Sequence, residues 1–172
     1  MNIAKIMTPK YSTACLLETS TVRQGLELMR SRGYTAIPVL NKDGRYLGSV
    51  TEGDFLRHMM QAGTTELKEH EKYRVGAIFR PDFCPALDIQ ASETDVIDAV
   101  LQQNFVPIVD DRGCLCGIVT RRSVILYLAE KNGWKRAETA VNEYFQPEAA
   151  PSGAAFERVE FLDTLSQKCK HF

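Results

Sequence analysis

Two short runs in this 172-residue chain carry side chains that could hold an anion. Thr51-Glu52-Gly53-Asp54 places a hydroxyl and a carboxylate three positions apart, between an apolar run and an amphipathic one. Thr120-Arg121-Arg122 sets two guanidinium groups behind a threonine in the same kind of position. Both runs predict a helix start, where backbone N–H groups point outward and favour negative charge. Arg pairs bidentately with phosphate oxygens, so Arg121 and Arg122 form a candidate phosphate clamp. As solvated surface arginines they would need no ligand. Thr51 and Asp54 also have two readings, because Thr-x-x-Asp is a variant of the capping box and stabilises a helix start unaided.

Other chemistry finds less support. The five cysteines, Cys15, Cys84, Cys114, Cys116 and Cys169, are odd in number and follow no disulfide framework. None of His58, His70 or His171 supplies a CxxC or HxxxH partner, so no metal ligand set is expected, and the thiols read as small buried hydrophobes. No Walker A loop, GxSxG, HExxH or triad spacing occurs, so no catalytic residue and no enzyme activity is expected. The 21 basic and 22 acidic side chains leave a net charge of −1, which argues against a general binder of nucleic acid or anionic membrane. At 44% hydrophobic and 25% charged the chain is globular rather than disordered. It shows no transmembrane-length apolar run and no apolar signal region near Met1, so the expectation is a cytoplasmic protein.

The elements that must position these residues occur twice. Pro38 and Pro107, Gly44 and Gly113, Gly48 and Gly117, and Thr51 and Thr120 are each 69 positions apart. Upstream, Ile6-Met7-Thr8-Pro9 matches Ile78-Phe79-Arg80-Pro81. Such agreement among punctuating residues marks a duplication. In the first unit Thr21 and Gln24 form a capping-box pattern, and Val22, Gly25, Leu26 and Met29 make an amphipathic helical stripe. Ala36 to Leu40 reads as a strand, Asp43-Gly44 as a hairpin turn, and Tyr46 to Val50 as the returning strand, with a helix from Thr51 to about Met60. An extended segment around Thr13 to Leu17 precedes them. The second unit repeats the order: a helix from about Asp95, strands Phe105 to Val109 and Leu115 to Val119, and a helix from Ser123 to Lys131 that Gly133 ends.

Twin helix–strand–strand–helix units carrying G-Y-T-A-I-P-V-L, D-G-x-x-x-G-x-V-T-x-x-D and I-M-T-P resemble a tandem CBS-domain module, over about residues 1–131. The resemblance implies an α/β (α+β) fold: a tandem CBS-domain pair of two pseudo-twofold-related units, 1–66 and 67–132, with residues 133–172 as a helical C-terminal extension. It further implies adenine nucleotides bound in clefts between the units, a homodimer, and regulation of a client protein. Tyr34, Thr35 and Ala36 would then offer backbone edges and a stacking ring to the base, although Tyr34 also reads as a core aromatic. In the CBS pattern the residue at Asp54 accepts from ribose hydroxyls and that at Thr51 faces phosphate.

The units differ in an informative way. Phe105 replaces Ala36, Asn104 replaces Thr35 and Ser123 replaces Asp54 at the common offset, and the second helix and its exit are shorter. The second base slot is therefore expected to be the narrower one. Thr-Arg-Arg after the last strand is similar to stand-alone CBS proteins of Gram-positive bacteria that bind cyclic di-AMP. That resemblance implies Ala14, Tyr34, Thr35 and Ala36 around adenine and Thr120, Arg121 and Arg122 at the phosphates. Retention of Asp54 keeps AMP, ADP or ATP open as the regulatory ligand; no cofactor is expected.

The connection from Gln61 to Val75 reads as a solvated linker helix with His70 exposed, and His58 as a packing residue. Beyond Gly133, a short helix over Ala137 to Phe145 and a stripe at Phe156, Val159, Leu162 and Leu165 read as an appendage. It would dock on its own module, on a dimer mate or on a client, or remain a partly ordered tail.

Overall fold

The computed structural model describes residues 2–134, so the expected helices of the C-terminal extension lie outside the described residues. In chain order the elements are α1 (Ile3–Ile6), β1 (Thr8–Pro9), a 3-10 turn at Lys10–Ser12, β2 (Leu16–Leu17), α2 (Val22–Arg32), β3 (Ala36–Leu40), β4 (Tyr46–Thr51) and α3 (Glu52–Ala62). Two 3-10 turns follow, Leu67–Lys72 and Val75–Ala77, then β5 (Leu87–Asp88), α4 (Glu93–Gln102), β6 (Phe105–Val109), β7 (Leu115–Thr120) and α5 (Arg121–Lys131). This is the expected twofold helix–strand–strand–helix order.

The strands form two sheets, β2-β3-β4 and β1-β7-β6-β5. In each, a short strand runs parallel to the first hairpin strand, and the hairpin itself is antiparallel: Ile37 faces Val50 in one sheet and Val106 faces Val119 in the other. Both hairpin strands are apolar and largely buried, as strands covered on both faces must be. The two hairpin turns also bond each other: Tyr46 N–H donates to the Gly113 carbonyl at 2.9 Å, and Leu115 N–H to that of Gly44 at 3.0 Å.

The repeats are interleaved. Thr8 and Pro9 pair with Ile118 and Gly117 on the second unit's β7, and Ile3 packs into the core of Val96, Val100, Val106 and Val119. Reciprocally, Arg80 bridges Ser49 on β4, and Val75 packs into the core of Leu16, Val22, Ile37, Val50 and Phe55. The repeated strand glycines make this exchange possible. A Cβ at Gly117 would lie 2.3 Å from the Thr8 carbonyl, and one at Gly48 would lie 2.5 Å from the Arg80 carbonyl.

Among the described residues reciprocal capping boxes start all four long helices: Thr21 with Gln24, Thr51 with Asp54, Ser92 with Asp95, and Thr120 with Ser123. Because Ser92 and Thr120 are the caps, α4 begins at Glu93 rather than near Asp95, and α5 at Arg121 rather than Ser123. The connection departs from expectation more sharply. It is no solvated α-helix: Leu67–Lys72 is a 3-10 turn, and His70 is fully buried. Three residues per turn align i with i+3, and of the aligned Leu67, His70 and Tyr73 only His70 is buried, while Lys68, Glu69, Glu71 and Lys72 are exposed. Among the described residues no helix is long and apolar enough to cross a membrane.

Candidate functional site

A cleft of about 310 Å³ opens where the interleaved segments meet. Such a volume lies at the lower end of the range typical of small-molecule pockets. The N-terminal crossing segment contributes Thr8, Ser12, Thr13 and Ala14. The exit of α2 into β3 contributes Tyr34, Thr35 and Ala36, and the second unit closes the far side with Asn104, Phe105, Ile118 and Thr120. The αL turn at Gly33, which ends α2 by returning its N–H to the Met29 carbonyl, swings Tyr34 to the rim, where the residue is 40% exposed. Thr13 Oγ1 donates to the Pro9 carbonyl at 3.0 Å, which ties the floor to β1. No lining side chain carries a formal charge: the wall is apolar, with hydroxyl and amide groups spaced around it.

Of the nine residues singled out from sequence, Ala14, Tyr34, Thr35, Ala36 and Thr120 line this cleft together, and Thr51, Asp54, Arg121 and Arg122 do not. Asp54 is 3% exposed. Its Oδ2 accepts from Thr51 N–H at 2.9 Å and from the Thr51 hydroxyl at 2.6 Å. Its Oδ1 accepts from Arg57 at 2.5 Å and faces Arg80 Nε at 3.0 Å. A carboxylate offers about four acceptor positions; three accept hydrogen bonds here, and the Arg80 ion pair adds a fourth contact. Burial pushes the Asp54 carboxyl up, but the Thr51 and Arg57 hydrogen bonds and the Arg80 charge outweigh it and hold the group below the ordinary carboxylate range. A ribose could reach Asp54 only by displacing an arginine.

Arg121 and Arg122 occupy the first turn of α5, directly after the lining residue Thr120. The Arg121 guanidinium turns back and donates to the Val100 carbonyl at 2.9 Å and to that of Gln103 at 3.4 Å, capping the end of α4. Thr120 Oγ1 accepts from Ser123 N–H at 3.1 Å, the helix-start role its motif implies.

Among the described residues the four thiols are free, with Cys84 buried and Cys15, Cys114 and Cys116 half-buried. Burial pushes Cys15 up to about 11 and raises Cys84 and Cys116, the opposite of what a nucleophilic cysteine requires. Among the described residues no group of three or more His, Cys, Asp or Glu is placed to hold a metal ion.

Sequence reasoning missed part of the wall. Phe105, expected to narrow a second slot, stands in the wall of this one. Asn104 and Phe105 could have been found as the equivalents of Thr35 and Ala36. Thr8 belongs to the repeated I-M-T-P segment, and Ile118 shares a strand face with Thr120.

The CBS-domain family model matches residues 3–61 and 84–130, more than half of the sequence, and the chain belongs to this family as a tandem CBS pair. It is 31% identical over 124 residues to a homoserine O-acetyltransferase of Methanohalophilus mahii, a match covering 72% of this chain and 24% of that protein. The chain thus spans about a quarter of the length of that relative. Among solved structures, CbpB of Listeria monocytogenes in complex with cyclic di-AMP superimposes with a TM-score of 0.64 at 21% identity, covering 78% of this chain and 99% of that one. CBSX2 of Arabidopsis thaliana in complex with AMP gives 0.63 at 22%, covering 76% and 98%.

Proposed function

We propose that this CBS pair is a non-enzymatic cytoplasmic sensor that binds an adenine nucleotide, with cyclic di-AMP favoured, and relays its level to a client protein. The carrying observation is the cleft itself: Ala14, Tyr34, Thr35 and Ala36, from separate stretches of the first unit, converge with Thr120 of the second around an uncharged, mostly apolar slot. Tyr34 stacks on the base, Ala14 and Ala36 leave it room, and the hydroxyls of Ser12, Thr13 and Thr35 suit its polar edge. Phosphates leave the slot beside Thr120, towards the positive end of α5, where Arg122 completes the anion site. Seclusion of Asp54 by Arg57 and Arg80 supports the dinucleotide, because no carboxylate faces the two phosphates. The listerial and plant neighbours, solved with cyclic di-AMP and AMP, support the ligand class.

AMP or ATP is the second reading, favoured by the retained Thr51-x-x-Asp54 motif; it requires Arg80 to swing away. Exposed Leu56 and Met60 on α3 and Ile125 on α5 favour association of two copies as a homodimer. The test is an Ala36→Phe variant, which fills the base slot with a ring. The rise in thermal midpoint that cyclic di-AMP gives the parent protein should vanish in this variant; an undiminished rise would refute the assignment of the slot.

A further inference from the structure

We infer that His58 and His70 form an acid-released latch that holds the segment between the two repeats onto α3. His58 Nε2 and His70 Nδ1 lie 3.2 Å apart, and His70 Nε2 lies 3.1 Å from the Thr64 carbonyl. A carbonyl only accepts, so His70 Nε2 carries a proton; in the neutral ring Nδ1 then accepts from His58 Nε2–H. The His58 ring stands edge-on to Tyr73, with centroids 4.6 Å apart. His70 is fully buried and His58 is 8% exposed. Residues 64–73 are thus fastened to α3 through two imidazoles rather than through charged groups.

Such a pair can hold one proton beyond neutrality, since either ring can be the donor. It cannot hold two, because Nε2–H of His58 would then face Nδ1–H of His70. Of the charges on the adjoining elements, Glu71 of the linker and Glu27 of α2 both pair with Arg23, Glu69 pairs with Lys72, and on α3 Arg57 pairs with Asp54, while Glu66 and Lys68 are exposed. Among the described residues no carboxylate hydrogen-bonds or ion-pairs with either ring, and burial followed by the proximity of His70 holds His58 below the ordinary imidazole range. Unfolded, both rings protonate near pH 6.5. The latched state therefore binds at least one proton fewer than the released one, and stability is lost as pH falls below about 6.5. Release matters beyond the linker. The same segment leads into Val75, a member of the first core, and into Arg80, which crosses onto β4.

The experiment is denaturant unfolding of the full chain at pH 7.5, 6.5, 5.5 and 5.0, beside His58→Gln. A Gln amide can turn either its N–H or its C=O to His70, so it matches both protonation states. Below pH 6.5 the wild-type unfolding constant should climb about tenfold more per pH unit than that of the variant. Coincident profiles would overturn the latch. A second readout needs no variant: wild-type hydrogen exchange, corrected for intrinsic rate. Amides Glu69, Val75 and Gly76, which donate to Glu66, Ser20 and Glu18 carbonyls, should lose at least tenfold protection between pH 7.5 and 5.5. Amides of β6 and β7 should keep theirs. Equal retention in both regions would also overturn the proposal.

Discussion

Substitution of Gly117 by alanine tests the interleaving of the repeats and its link to the cleft. The added Cβ would sit 2.3 Å from the Thr8 carbonyl oxygen and 2.7 Å from Met7 Cγ. Met7 can move, but Thr8 is backbone held in register on β7 by Ile118, so β1 must lift. Overpacking of this kind costs about 1–3 kcal/mol. Because the obstacle is backbone, the upper end applies, which lowers the thermal midpoint on the order of 10 °C for a module of this size. Gly48→Ala meets the reciprocal clash, 2.5 Å from the Arg80 carbonyl and 2.8 Å from Pro81 Cα, at φ +154°, and should cost as much. The two differ in function. Thr8 lines the cleft and Arg80 does not, so Gly117→Ala should weaken nucleotide binding severalfold beyond any effect of Gly48→Ala. Gly53→Ala is the control. Its Cβ meets nothing closer than 3.7 Å inside α3, so it should leave stability unchanged or raise it by up to about 1 kcal/mol. Thermal unfolding with calorimetric binding on the three variants decides the matter. A Gly117→Ala protein as stable as Gly53→Ala would refute the crossing geometry, and equal binding losses in Gly117→Ala and Gly48→Ala would refute its coupling to the cleft.

Other substitutions separate roles that the sequence merges. Tyr34→Ala should cost roughly 1–3 kcal/mol of nucleotide affinity by loss of base stacking, read by titration calorimetry, with Tyr34→Phe retaining most of it. Arg121→Ala should destabilise the fold by about 1 kcal/mol through the uncapped end of α4. Arg122→Ala should weaken cyclic di-AMP more than Arg121→Ala does, with a shallower salt dependence. Asp54→Asn should cost about 1 kcal/mol at pH 7, a figure kept small by the exposure of Arg57 and Arg80. Since the folded Asp54 carboxyl lies below its unfolded value, that difference is present above the ordinary carboxylate range. It should shrink as pH falls through the folded value, so denaturation curves of wild type and variant should converge below about pH 4.

The duplication and the strand pairs were legible in the sequence because punctuating residues carry them: Pro38 and Pro107, Gly44 and Gly113, and the caps at Thr21, Thr51 and Thr120. Crossing of the N-terminal segments was not, since β1 is two residues long and its partner strand lies more than a hundred positions away. The glycines that permit it were seen as a pattern, but a repeat does not reveal what packs on it. The burial of His70 was not legible because its charged neighbours read as a solvated helix, whereas the backbone there turns in three and brings this one side chain inward. Thr51-x-x-Asp54 shows a further limit. Motif spacing is compatible with capping and with ligand contact alike, and only the positions of Arg57 and Arg80 show which acceptors are occupied.

The central claim is most directly tested by calorimetric titration of the nucleotide-free chain with cyclic di-AMP, AMP, ADP and ATP under identical buffer. The account predicts saturable binding of cyclic di-AMP, tighter than that of any mononucleotide and lost in Ala36→Phe. Tighter binding of AMP or ATP would move the site to Asp54, and no heat from any of the four would contradict the nucleotide-sensor reading altogether.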